Sequence, residues 1–442
     1  MLLVAYHHRL DYPDIARFAG AMAGSGTKDE ILAAVQAEFG HSEDLPSMLA
    51  EPRPIALFGE LGGHIPHKAY DQLVLSMRIP PAVRGAIMPD AHYGYSVPIG
   101  AVVELDNAIS PAYIGYDISC MVMISLFDIS QKEFMANRRD FAKALRQETA
   151  FGTDSRLGGR REHPVMDDPL WQEGSLKFLK GKAQSQLGSS GGGNHFADLV
   201  LGETLNQAGW FSYQPGEKFV ALITHSGSRG TGHRIATQYV KLAEQETKSK
   251  ASRIPKGYGW LDMDRDSGRE YWAAMQLMGD YALANHELIH AHFAETAGLE
   301  TVSNFWNRHN YAWENDGRYV HRKGATPAEV DRPGIIPGTS GTYSYLVNGL
   351  GNAESLFSSS HGAGRPFSRT EAKNRYNKQR FEGHMSHEDI LYYGVAADET
   401  YQAYKDIETV LDVQDGVLVD RVARLEPKVV IMGGHGKADD GD

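Results

Sequence analysis

The chain has 442 residues, 42% of them hydrophobic and 23% charged, the profile of a globular protein rather than a disordered or fibrous one. Basic residues number 44 against 56 acidic ones, a net charge of -12, so no whole-protein positive field draws the chain to nucleic acid or an anionic membrane, and an RNA or DNA partner needs a local basic patch. The single cysteine, Cys120, excludes an intrachain disulfide framework, and the absence of a membrane-length apolar run or a signal-peptide pattern makes the cytoplasm the expected location.

Residues 1–65 alternate helical patches, Tyr12 to Met22 and Lys28 to Phe39, with Gly-Ser and Pro breaks, and read as a structural cap without chemistry. From Met88 to Leu126 the texture changes to short apolar runs punctuated by Gly and Pro, and Pro98 to Val103 and Met121 to Ile124 are expected as buried strands. Between them, Asp117-Ile118-Ser119-Cys120 sets a carboxylate and the only thiol three residues apart. In isolation such a pair is more often a buried cysteine beside a capping aspartate. Arg138 to Lys182 is polar, contains turn signals at Gly152-Thr153-Asp154 and Gly158-Gly159, and is expected as a mobile surface segment.

Histidines in ligand-friendly settings follow. His195 sits in Gly191-Gly192-Gly193-Asn194-His195-Phe196, His225 ends the strand-like run Phe219 to Ile223, and His309 lies in Arg308-His309-Asn310-Tyr311. Helices are expected from Gly232 to Lys248 and from Arg269 to Ala297. Any one histidine is usually structural, but Asp117, Cys120 and three histidines exceed the four ligands of a closed zinc site and can supply two ions with open positions. Ligand softness leaves the metal open between zinc, iron and manganese.

Further on, Pro337-Gly338-Thr339-Ser340-Gly341 and His361-Gly362-Ala363-Gly364-Arg365 are glycine turns whose backbone N–H groups can nest a phosphate, with Arg365 offering a fork for it. His361 is either a loop histidine or a base or nucleophile. Arg365, Arg369, Lys373, Arg375, Lys378 and Arg380 set six basic residues against Glu371 alone in the interval 365–380, either the local RNA patch or a solvated helix face. No repeat or linker divides the chain. The expectation is an α+β fold, one elaborate domain over 66–434 with mixed sheets and a metal-containing central cleft, followed by a frayed tail at 435–442.

These motifs together resemble the RtcB family of RNA-splicing ligases. Met88-Pro89-Asp90-Ala91-His92, Pro98-Ile99-Gly100, Gly115-Tyr116-Asp117, Asn194-His195-Phe196, His225 to Gly230, His309-Asn310-Tyr311, Arg322 to Ala325, His361 to Arg365 and Ala403 to Ile407 occur in family order, over about Gln72 to Gly433. The resemblance implies ligation of RNA 3′-phosphate or 2′,3′-cyclic phosphate ends to 5′-hydroxyl ends, with GTP and two manganese ions. Asp117, Cys120, His195, His225 and His309 then resemble the metal ligands, and His361 the guanylylated histidine. Asn194, His195, Phe196, Ala197, Asp198, His309, Asn310, Pro337, Gly338, Thr339, Ser340, Ser344 and His361 to Gly364 match the nucleotide site. An activating protein is a possible partner, a monomer is favoured, and RNA repair or tRNA splicing is the expected setting.

Three departures bear on this. Asp198 stands where the family usually has glutamate, Met432-Gly433 where it has Lys-Gly, and Ala112-Tyr113 where it has a glycine pair. The first two put guanine selectivity in question, with Lys437 as a cation that folds back to substitute. The competing readings are a ligase using another nucleotide, a dinuclear metal phosphodiesterase or phosphatase, and a non-catalytic RNA- or nucleotide-binding protein.

Overall fold

The computed structural model describes residues 47–152, 161–251 and 254–434. The expected helices at 12–22 and 28–39, the Gly158-Gly159 turn and the tail with Lys437 lie outside the described residues. In chain order the helices are α1 (His67–Ser76), α2 (Pro111–Ile114), α3 (Gln131–Glu148), α4 (Leu176–Gln186), α5 (Arg229–Lys250), α6 (Asp266–Ala297), α7 (Arg369–Arg375), α8 (Lys378–His387) and α9 (Ile407–Asp412). The strands are β1 (Ile55–Leu57), β2 (Ala82–His92), β3 (Ile99–Asp106), β4 (Ala108–Ile109), β5 (Met121–Phe127), β6 (Phe196–Thr204), β7 (Lys218–Ser226), β8 (Leu261–Asp262), β9 (Thr301–Arg308), β10 (Asn310–Asn315), β11 (Arg318–Lys323), β12 (Ala325–Pro327), β13 (Pro333–Ile336), β14 (Ser344–Gly349), β15 (Ser358–Ser360), β16 (Leu391–Tyr393) and β17 (Val419–Met432).

Two sheets carry the site. A five-stranded sheet has the order β1-β2-β3-β11-β10, and an eight-stranded one runs β13-β14-β17-β6-β7-β5-β9 with β16 added to β17. The β1–β2 and β16–β17 pairs are parallel and the remaining pairs of both sheets are antiparallel, so the expected α+β fold with mixed sheets is what the chain adopts. Because β1 pairs with β2, the residues just before position 66 enter the same sheet as the rest of the chain.

β5 shows why the apolar runs become strands. All seven of its residues are buried, as a strand flanked on both sides and covered on both faces requires. Val122, Ile124 and Leu126 pack with Phe219 and Leu346, while Phe127 packs on the other face with Phe134 and Phe293. Phe293 comes from α6, whose buried Tyr271, Met275, Met278, Tyr281, Ile289 and Phe293 recur at helical spacing. Gly298, at φ +66°, ends that helix in the left-handed conformation that glycine adopts without strain.

The segment from Arg138 to Lys182 differs from its expectation. Where described, it is largely helical, and α3 and α4 bury Phe141, Leu145, Leu176 and Leu179 while Trp171 is fully enclosed. Its apolar residues are spaced at helical intervals among many charges, so average polarity hid a buried face.

Candidate active site

Antiparallel pairing brings four strand ends together. Cys120 precedes β5, His195 precedes β6, His225 is the penultimate residue of β7 and His309 follows β9. In register, Val122 lies opposite His225, Phe196 opposite His225, and Met121 opposite Arg308. The expected ligands therefore meet at one end of the neighbouring strands β6, β7, β5 and β9. Asp117 joins them through a tight loop in which Ser119 holds φ +58°, a left-handed conformation that a non-glycine residue keeps only when its surroundings impose it.

Donor atoms converge in two sets that share the thiol, Cys120–His225–His309 and Asp117–Cys120–His195, the atoms of each within 4.8 Å of one another. Cys120 Sγ is 2.9 Å from His225 Nε2 and 3.6 Å from His195 Nε2. His225 Nε2 is 3.1 Å from His309 Nε2, and His195 Nε2 is 3.0 Å from Asp117 Oδ2. Backbone carbonyls fix the tautomers: His195 Nδ1 donates to the Ser190 carbonyl at 2.7 Å and His225 Nδ1 to that of Asn194 at 3.1 Å. With Nδ1 so engaged, the two Nε2 atoms face Cys120 Sγ, Asp117 Oδ2 and His309 Nε2, an arrangement that a cation between them satisfies and that metal-bound histidines show in their outer contacts.

Burial, reinforced by the neighbouring His225, His361 and His195, pushes His309 well below the usual histidine range, so it stays a neutral donor. Burial raises the Asp117 carboxyl, but the His195 hydrogen bond and charge, with Arg229 behind, hold it below its ordinary value. The chemistry of the two donor sets, which share one thiol, fits divalent metal ions.

His361 stands beside this centre, its ring centroid 5.1 Å from that of His309. Asp90 Oδ2 accepts from the His361 backbone N–H at 3.0 Å and from ring Nδ1 at 2.7 Å. A carboxylate only accepts, so Nδ1 carries a proton and Nε2 is the ring nitrogen turned away from Asp90. Asp90 is fully buried. Burial alone would raise its pKa, but His361, Lys405 and His92 hold it below the ordinary value. Lys405 Nζ donates to the carbonyls of His64, Pro89 and Ala91 at 2.7, 3.2 and 2.7 Å, and its burial brings it down to about 8. Gly364, at φ +72°, packs its Cα where a Cβ would overlap the Asp90 carbonyl oxygen, so only glycine lets the turn close on Asp90. Asp90 and Lys405 stand within the motifs but have no local signal of a role, since nothing in the linear chain announces a partner 271 residues away.

A cavity of about 560 Å³ opens over these groups, and Cys120, His225, His309, His361 and Lys323 line it. Asn194, Phe196, Asp198, Asn310, Pro337 to Ser340, Ser344 and Gly362 to Gly364 line it too. His195 and Asp117 sit below the lining, in contact with Cys120. Ala197 does not reach the cavity with its side chain: between Phe196 and Asp198 on β6 it points to the opposite face, packed with Leu199, Val429 and Ile431. Ser344 Oγ accepts from Gly338 N–H at 3.0 Å, and Asn310 Oδ1 from Gly324 N–H at 2.9 Å, which hold both turns in place.

β17 closes the far wall, with Val430 opposite Asp198 and Met432 opposite Phe196. Asp198 is 8% exposed, and its Oδ1 has no hydrogen-bond partner. Burial raises its pKa well above 3.8, only partly offset by a backbone bond to Ile431, so the fold favours the protonated acid. A folded pKa raised in this way gives stability that is full below the unfolded value and is lost as pH rises through the folded one. Asp198→Asn is therefore expected to unfold at higher denaturant than the wild type at pH 7, with the gap closing as pH falls towards 3.8. An equal gap at both pH values would show that burial does not raise the Asp198 carboxyl.

The basic interval is less available than its count implied. Arg365 donates to Glu399 and Tyr404 at 2.6 Å and to the Asp398 carbonyl at 2.7 Å. Arg369 pairs with Glu399 and Asp398, Lys373 with Asp398, Arg375 with Glu371, and Lys378 with Glu382. Glu399 and Asp398 lie outside the counted window, and Arg365 is not a free phosphate fork.

The family model described as tRNA-splicing ligase RtcB matches 72–180 and 172–433. The chain is 30% identical over 428 residues to the tRNA-splicing ligase RtcB of Thermococcus kodakarensis, covering 78% of this chain and 87% of that one. It is 28% identical over 421 residues to the RNA-splicing ligase RtcB of Escherichia coli K12, covering 87% and 99%, and 29% identical over 433 residues to that of Mycobacterium tuberculosis, covering 82% and 100%. Among the described residues no helix is long and apolar enough to cross a membrane.

Proposed function

Since the chain belongs to the RtcB family of tRNA-splicing ligases, we propose that it is an RNA ligase joining 3′-phosphate or 2′,3′-cyclic phosphate ends to 5′-hydroxyl ends, with GTP as co-substrate and manganese as cofactor. RNA repair or tRNA splicing in the cytoplasm is its setting, with an activating protein as a possible partner. The observation that carries the reading is the His361–Asp90 pair beside two donor sets that share Cys120.

His361 Nε2 attacks the α-phosphorus of GTP and pyrophosphate leaves. Asp90 orients the ring and stabilises the positive charge that the imidazole gains as the N–P bond forms. Water opens a 2′,3′-cyclic phosphate end to the 3′-phosphate, GMP passes from His361 Nε2 to an oxygen of that phosphate as the N–P bond breaks, and the 5′-hydroxyl then attacks the RNA phosphorus, losing its proton as GMP leaves. Asp117, Cys120 and His195 would hold one manganese ion and Cys120, His225 and His309 the other, and when bound the two would neutralise phosphate charge along the displacement. The turns at 337–340 and 361–364 offer backbone N–H groups to phosphate oxygens. Lys323, buried in the cavity wall, brings a cation to the same place.

In this reading the base lies against Asp198 and Met432, which both line the cavity and are where the chain departs from the family's usual residues. The test is incubation of the wild-type protein with α-labelled GTP, or with ATP, and manganese, followed by denaturing electrophoresis and peptide mapping. Acid-labile, base-stable label from GTP on the His361 peptide is expected. Label from ATP alone would keep the mechanism and change the nucleotide. No label from either, with metal-dependent phosphate release intact, would favour a hydrolase.

A further inference from the structure

Among the described residues four aromatic side chains are exposed, and two of them, Tyr93 at 63% and Tyr95 at 51%, stand two positions apart in the loop between β2 and β3. Both line the rim of the cavity that holds His361. Large aromatic surface is ordinarily buried, and two exposed rings on one short loop at a cavity mouth mark a place where something docks.

The loop is held rigidly. Gln72, buried on α1, donates through Nε2 to the carbonyls of Gly94, at 2.7 Å, and Tyr95, and its Oε1 accepts from Gly94 N–H at 3.1 Å. Ser76 Oγ donates to the Ser96 carbonyl at 3.3 Å. A buried glutamine thus fixes the backbone from beneath while both rings point outward. The Tyr95 ring meets Tyr116 edge-on at 6.3 Å, and Tyr116 adjoins Asp117 of the donor set. The Lys68 ammonium lies 5.7 Å from the Tyr93 ring centroid, so a cation accompanies the aromatic surface.

Fixed, exposed aromatic faces with a lysine beside them have the chemistry of a single-stranded nucleic-acid subsite, where bases stack regardless of sequence and the cation takes the backbone phosphate. We propose that Tyr93 and Tyr95 form a stacking platform for an unpaired base of the RNA strand adjoining the reacting end, with Lys68 on its phosphodiester. The proposal rests on the ligase reading for the identity of the strand and goes beyond it in naming a subsite at the mouth of the cavity, apart from the metal and nucleotide residues.

The experiment measures RNA binding to the full chain with manganese and without GTP. It uses short oligoribonucleotides carrying 2-aminopurine either as the last base before a 3′-phosphate or as the first base after a 5′-hydroxyl, which identifies the strand. Wild type is expected to quench one of the two probes. The Tyr93→Ala/Tyr95→Ala double variant is expected to lose the quenching and to bind about tenfold or more weakly, within the range for loss of base–aromatic stacking. Tyr93→Phe/Tyr95→Phe retains the rings and is expected to bind as wild type. An abasic residue at the probe position should cost the wild type the same factor and the double alanine variant nothing further.

Equal binding of abasic and normal RNA by the wild type, or unchanged binding by the double alanine variant, overturns the platform. Joining is scored in the same preparations. Stacked RNA that is never joined counts against the ligase reading and leaves the platform standing, whereas joining without abasic sensitivity does the reverse.

Discussion

His361→Ala is expected to abolish covalent nucleotide labelling and to lower end joining by at least about 10³-fold, the scale on which loss of a covalent nucleophile acts. Manganese binding should be unchanged in stoichiometry, because His361 belongs to neither donor set. This pairing of a lost covalent step with a retained metal site separates the ligase from a dinuclear hydrolase, for which the same variant would keep metal-dependent phosphate release. Asp90 acts through the same ring. It holds Nδ1 at 2.7 Å, so its removal frees the tautomer and takes away the carboxylate that balances the imidazolium.

Cys120→Ala carries the second large effect. Its Sγ is the one donor common to both sets, so a single substitution weakens two ions at once, and loss of a thiolate ligand is expected to cut manganese affinity by at least about 100-fold. Labelling and joining should fall with it. The side chain is small and 2% exposed, so the metal-free variant should melt close to the metal-free wild type. Added manganese should then separate them: at a concentration 100 times the dissociation constant, a ligand that binds only the folded state stabilises by about 2.7 kcal/mol, a gain the variant would not show. Calorimetry with unchanged manganese affinity in Cys120→Ala would remove the thiolate from the site.

Much of this centre was legible before the fold was known. The apolar runs of β5 and β7, the helical periodicity of α5 and α6 and the glycine turns around His195 and His361 are local patterns, set by side-chain burial and backbone conformation within a few residues. The donor types were legible as well, because cysteine, histidine and aspartate advertise their chemistry wherever they stand.

What the linear chain did not carry was who meets whom. Antiparallel register decided that residues as far apart as Cys120 and His309 share one strand end, and that Asp90 reaches His361 across 271 residues. The two-residue period of β6 turned Ala197 away from the cavity that Phe196 and Asp198 face. Glu399 neutralised Arg365 and Arg369 from outside the window in which charges had been counted, and Gln72 fixed the loop that presents Tyr93 and Tyr95. The chemical inventory and the local elements were thus determined by the sequence alone, because propensity and turn geometry are short-range. Convergence of the donor atoms, the pairing of His361 with Asp90 and the true availability of charge were decided by tertiary structure, because they depend on long-range sheet register and on desolvation that only packing creates.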